Sequence, residues 1–309
     1  MSKVKILRFN DDKIGVIKDG DKVVDVSGVI SHRELKGPQR AIEELIENFG
    51  DLRDDIAQIA AREDGASLES VRLLSPVPRP GKCLGAFLNY LDQGKTADDL
   101  PLEFFYMDPL LPGPGATIEL VEIPEITEFQ TEAELAFVIG KRAKNVTEEE
   151  AMDHVFGYLP LFDISVRGIT RYTRFLTKGQ GSHGPCGPWI TTKDEIPDPH
   201  DVTVRSWVNG EPSQDFSTRH MAHKIPAQVA WLSRFVELEP GDVIATGTYH
   251  EGRKPIKDGD LAEIEIEGMG KAGFRSKGYS PVKSPATGGA PTGPRPSPGP
   301  ADAAKITRV

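Results

Sequence analysis

Cysteine is nearly absent: two occur in 309 residues. Cys83 and Cys186 are far apart and in no metal-type pair, so they read as buried thiols rather than a disulfide or thiolate site. Basic residues are outnumbered, 37 Lys and Arg against 47 Asp and Glu, and the net charge of −10 argues against a nucleic-acid or anionic-membrane surface. No apolar run approaches the roughly 20 residues that span a bilayer. The N-terminus runs from Met1 straight into the polar turn Asn10-Asp-Asp-Lys13, so no signal peptide is visible. Strand–helix–strand alternation and a glycine-rich phosphate loop are missing too, which excludes Rossmann and P-loop readings. The expectation is a reduced, cytoplasmic protein with a small-molecule substrate and neither nucleic acid nor membrane as partner, long enough for one large or two modest cores.

What is present is mostly short strands. Lys5 to Phe9, Ile14 to Ile17 and Val23 to Val26 are apolar runs divided by Asn10-Asp-Asp and Asp19-Gly-Asp turns. Ala41 to Ala61 carries helical spacing, with a break expected at Gly50. Pro76-Val-Pro-Arg-Pro80 reads as a stiff linker, dividing a small N-terminal domain (1–75) from a larger, strand-rich one (76–275). Thr147 to Glu150 is a capping box opening a helix that Gly157 is expected to end. Residues 225–236 form a second amphipathic helix. From Ser276 the composition turns to Pro, Gly, Ser, Thr and Ala, so 276–309 is expected to be a disordered tail.

Against that background Glu132 and Glu134 stand out. In a strand, residues two apart share a face, so the two glutamates project together while Leu135, Phe137 and Ile139 face away. Paired carboxylates repel unless a cation joins them. Asp163 on the next strand would complete an all-oxygen site suited to Mg²⁺, or alternatively Mn²⁺ or Ca²⁺. Glu263 and Glu265 have the same spacing but alternate with Ile264 and Ile266, which reads as an ordinary strand with one wet face.

The segments around these residues resemble the fumarylacetoacetate hydrolase family over roughly 1–275. Leu84-Gly-Ala-Phe-Leu-Asn-Tyr90 is similar to the segment opening the family's catalytic domain. Phe129 to Lys141 resembles its metal-binding strand, and Gly157 to Arg167 the second, with Asp163 and a trailing Ser-x-Arg. Lys178 to Trp189 resembles its lysine loop. Val208 to Gln214 and Leu238 to Thr248 are similar to two further signatures, and all stand in the family's order. The resemblance implies a mainly β (α+β) fold: a mixed β-sandwich roll preceded by a small α+β domain, in a homodimer. It implies metal ligands Glu132, Glu134 and Asp163, and Lys178 supplying positive charge. Thr248 would bind a substrate carboxylate, with Tyr90, Arg167 and Gln180 as further substrate contacts. Arg167 reads equally as a structural ion-pair partner.

The departures bear on chemistry. The family's water-activating His and Glu fall at Gln93 and Thr96, which do not titrate near neutral pH. A family lysine is replaced by Met107, an aspartate by Gly181 and a proline by Tyr249. His183 and His250 are the candidate replacement bases. C–C bond hydrolysis of a 2-oxo acid or 1,3-diketone through a metal-stabilised enolate is the first expectation. Decarboxylation, isomerisation, dehydration or cyclisation on the same scaffold is the alternative. A non-catalytic metal-binding scaffold is the third.

Overall fold

The computed structural model describes residues 4–30, 37–91, 94–169 and 174–281; Gln93 and residues 282–309 lie outside them. Two long strands, Glu128–Ile139 and Val155–Arg167, form the spine as an antiparallel pair. On one edge the spine continues through Ile190–Thr192 to the N-terminal strands Lys5–Phe9, Lys13–Lys18 and Lys22–Asp25. On the other it continues through Val243–Ala245 to Cys83–Phe87 and Glu103–Tyr106. A second sheet holds Glu211–Ser217, Thr203–Val208, Leu261–Ile266, Gly270–Gly278 and Thr117–Leu120. One pairing in each sheet is parallel, Val243–Ala245 with Cys83–Phe87 and Gly270–Gly278 with Thr117–Leu120, so both sheets are mixed.

Strand parity sets the layers. Ala133, Leu135, Phe137 and Ile139 turn towards the second sheet and share a core with Val204, Ile264, Ile266 and Phe274. Ala136 and Val138 turn the other way, into a core with Leu159, Leu161 and the helix residues Ile42, Leu45 and Ile56. Glu132 and Glu134 continue this second face to the end of the strand. Both faces are therefore dry along the spine, each fully buried Leu, Ile or Phe contributing ~1.5–3 kcal/mol.

Several local readings change. The N-terminal helix breaks at Asn48, giving Pro38–Glu47 and Phe49–Arg62, with Gly50 inside the second. Thr147 caps Glu148–Ala151 through the expected box, but Gly157 does not end that helix. It sits in the spine at a register shift, where any Cβ would collide with the Thr191 carbonyl. Pro76 to Pro80 is packed rather than free, with Val77 fully buried. The last strand runs beyond Ser276 to Gly278, and the Tyr279 N–H donates to the Leu120 carbonyl at 2.9 Å. Cys83 and Cys186 are buried free thiols. No helix among the described residues is long and apolar enough to cross a membrane.

Candidate metal centre

Register places the acids. Asp163 is the direct cross-strand partner of Glu132 and Leu161 that of Glu134, so the three carboxylates share one face of the spine. Each offers an oxygen within 4.8 Å of the others, and all three residues are buried. Ser165 and Arg167 follow Asp163 on the same face by strand parity. Lys178 enters from the short helix Phe175–Lys178, its side chain 8% exposed.

Charge is distributed unevenly over the three acids. Glu132 Oε2 accepts from Lys178 Nζ at 2.6 Å, and Oε1 accepts from Arg167 at 2.7 Å and Arg253 at 2.6 Å. Burial alone would raise the Glu132 pKa, but these cations overcome it and hold the carboxyl well below the usual range. Lys178 Nζ also donates to Asp163 Oδ2 and to Ser165 Oγ. Burial opposes its charge, yet Asp163 and Glu132 raise its pKa above the ordinary lysine value. Burial, with Glu132 adding, pushes Asp163 up to about 6. Glu134 is raised further by burial and the Asp163 charge, and accepts one hydrogen bond, from the Gly247 N–H at 2.8 Å.

A hard divalent cation fits this donor set. Asp163 Oδ1 is buried with no hydrogen-bond partner among the described residues, and burial pushes Asp163 and Glu134 against ionisation, a cost that a bound cation would relieve. Three carboxylates at this spacing suit an oxygen-seeking ion.

The loop after Val243–Ala245 is clamped to the site. Gly247 has φ +88°, and a Cβ there would press on Asn89 at 3.2 Å, so glycine lets the backbone reach Glu134. Thr248 is buried; its hydroxyl donates to the Ala133 carbonyl at 2.7 Å and accepts from Gln214 Nε2 at 2.8 Å. Gln214 Oε1 accepts in turn from the Ala133 N–H at 2.9 Å, tying loop to spine.

Glu132, Glu134, Asp163, Arg167 and Lys178 thus come together, with Thr248 one residue from a ligand contact. His183, Gln180 and Tyr90 are engaged elsewhere. The fully buried His183 ring meets Phe129 edge-on at 5.9 Å and hydrogen-bonds the Glu119 carbonyl; Phe129 lies on the opposite face of the spine from the acids, and burial lowers the imidazole pKa. Gln180 turns back to the Leu176 carbonyl. Tyr90 is in the sandwich core, edge-on to Phe216, its phenol pKa raised by burial. His250 accepts at its backbone carbonyl from Arg253 Nε. Thr96 is exposed and spent as the cap of Ala97–Asp99, and Met107 packs in the second core. Sequence reasoning missed Arg253, Ser165 and Gln214. Ser165 was visible as the same-parity neighbour of Asp163; Arg253, in an irregular loop, left no periodic signal.

Residues 82–275 match the family model described as fumarylacetoacetate (FAA) hydrolase, C-terminal. The mitochondrial oxaloacetate tautomerase of Xenopus laevis is 35% identical over 273 residues, covering 84% of each chain. The maleylpyruvate hydrolase of Aquipseudomonas alcaligenes is 34% identical over 284 residues, 86% of this chain and 97% of that one. The crystal structure of maleylpyruvate hydrolase from Sphingobium sp. SYK-6 with manganese(II) and pyruvate superposes with a TM-score of 0.79 at 33% identity, covering 88% of this chain and 98% of that one.

Proposed function

The chain belongs to the fumarylacetoacetate hydrolase family, and from that premise we propose a metal-dependent enzyme that draws a 2-oxo acid through its enolate. The observation that carries this reading is the buried trio Glu132, Glu134 and Asp163, with Asp163 Oδ1 left without a partner beside Lys178. Mg²⁺ or Mn²⁺ held there would supply Lewis-acid charge opposite the oxygens of a chelating substrate. Lys178 and Arg167 place further fixed positive charge where the enolate oxygen develops its own, and this needs no reorganisation during the reaction. The dry walls, Phe105 lying 5.5 Å from Lys178 Nζ among them, strengthen those charges.

Hydrolysis of the C–C bond of an acylpyruvate is the first reaction on this scaffold. It asks for an activated water. The His183 ring is turned to the Glu119 carbonyl, and Thr96 is an exposed cap. That favours a second reading, tautomerisation or decarboxylation, which uses the same enolate without a water nucleophile. Loss of the water-activating base costs hydrolysis about 10²–10⁴-fold, enough to separate the two by rate where a different group takes the C3 proton.

Two measurements test this. Mn²⁺ should raise the melting temperature of the protein, and Glu132→Gln or Glu134→Gln should abolish the rise while Glu263→Gln and Glu265→Gln leave it intact. Loaded protein should exchange the C3 protons of pyruvate or 2-oxobutyrate with D₂O, followed by NMR, and cleave acylpyruvates far more slowly. Brisk cleavage would restore plain hydrolysis. Metal uptake with neither exchange nor cleavage would leave a binding scaffold.

A further inference from the structure

We propose that Arg253 is a specificity-determining residue that reads a second carboxylate, so that the site selects 2-oxo acids bearing two carboxylates over those bearing one. This rests on the metal-site reading above. The first observation is charge. Glu132, Glu134 and Asp163 face Lys178, Arg167 and Arg253, three groups of each sign. With all six ionised the cluster is neutral, so a divalent cation added to it leaves two positive charges in a dry site. A chelating monocarboxylate answers one of them, and a dicarboxylate answers both.

The second observation is the state of the Arg253 guanidinium. Nε donates to the His250 carbonyl at 2.9 Å and Nη1 to Glu132 Oε1 at 2.6 Å. Of the five N–H groups a guanidinium carries, the other three have no partner among the described residues. The side chain is 21% exposed, so it is neither sealed in nor out on the surface. Glu132 does not depend on it, since Arg167 shares the same oxygen and Lys178 holds the other. A planar fork with spare donors, beside a site that a metal would leave positive, matches a carboxylate.

The third observation separates Arg253 from Arg167. Arg167 ends a spine strand inside the Ser-x-Arg segment common to the family pattern. Arg253 belongs to the irregular loop after Thr248, where this chain departs from that pattern at Tyr249. Its anchor is the His250 carbonyl of the same loop, so the loop conformation sets where the fork lies. Loops held on a rigid scaffold are where binding groups concentrate.

Malate and lactate make the test. Both are redox-inert 2-hydroxy acids that chelate through the same carboxylate and hydroxyl, and malate adds a second carboxylate. Calorimetric titration of Mn²⁺-loaded protein should give malate an affinity about tenfold or more above lactate, the scale of a charge-assisted hydrogen bond. Arg253→Gln should remove most of that ratio while leaving lactate within about twofold, and Arg253→Lys should keep part of it. In the absence of either acid, Arg253→Gln should take up Mn²⁺ at least as tightly as the parent, because one competitor for Glu132 is gone; a residue that merely held the loop together would weaken it. Equal malate and lactate binding by Mn²⁺-loaded parent protein overturns the proposal and leaves the metal reading standing. So does an Arg253→Gln variant that loses both acids alike. Failure of the parent to take up Mn²⁺ overturns both.

Discussion

Three acids of one chemical type occupy three different electrostatic positions within a few ångströms. Glu132 is satisfied by Lys178, Arg167 and Arg253 and stays ionised. Asp163 is pushed up by burial and the Glu132 charge, and Glu134 by burial and the Asp163 charge. The sign of the resulting pH dependence is fixed. A carboxyl whose folded pKa is raised stabilises the fold at low pH, and that contribution is lost as pH rises through the folded value, here about 6 for Asp163. Glu132 shifts the other way, but above pH 5 it is largely ionised in both states and adds little slope. Metal-free protein should therefore gain stability relative to its own Asp163→Asn variant on going from pH 7 to pH 5, by roughly 2–4 °C for each kcal/mol involved. Mn²⁺ should reverse the order, protecting most at pH 7, where fewer protons are displaced. Scanning both proteins with chelator and with Mn²⁺ decides it, and a difference that stays flat with pH would mean Asp163 titrates normally. The acids themselves were legible, because spacing and parity are local facts; Glu263, which pairs with Lys271 at the surface, shows the same spacing without a partner strand of acids. Arg253 was not legible, because only the folded loop brings it 121 positions back to Glu132.

At the level of elements, the spine strands carry the site and their register is what matters. A slip of one residue would turn Glu132 and Glu134 into the sandwich core and Leu135 out of it. Alternation in Ala133 to Ile139 made the inward face readable. The register against Val155–Arg167 was not, since it depends on pairings between distant residues such as Glu132 with Asp163. Gly157 illustrates the gap: after a capped helix it reads as a terminator, whereas its real constraint is the Thr191 carbonyl of the neighbouring strand. Gly157→Ala should therefore cost about 1–3 kcal/mol through overpacking, while Gly181→Ala, which meets open space beside the lysine loop, should cost little. Denaturant midpoints of the two variants check this. Equal values would mean the backbone at Gly157 can relax where the packing says it cannot.

On the scale of the whole molecule, the proline-rich stretch at 76–80 suggests a boundary, yet sheet and core both run across it. Lys5 and Ile6 pair with Thr191 and Ile190, so the N-terminal strands extend the spine sheet. Ile6, Ile14, Ile42, Leu45 and Ile56 pack in one core with Val138, Leu159, Leu161 and Val243. Arg8 Nη1 donates to the Ser75 carbonyl at 2.6 Å, fastening that strand to the start of the connecting stretch. Composition marks where a chain is stiff and cannot say which surfaces meet around the stiff piece; that is set by pairings between residues about 185 positions apart. Removing residues 1–75 would strip the partner from the Ile190–Thr192 edge and uncover the apolar face that ends at Glu132 and Glu134. Unpaired edges and large apolar patches promote association. A chain of residues 76–281 should accordingly be poorly soluble or melt without cooperativity, and should lose Mn²⁺ protection, while residues 1–281 keep both. The shorter chain folding cooperatively with undiminished Mn²⁺ uptake would make the N-terminal segment a separable domain, and the shared core an accessory to the site rather than its support.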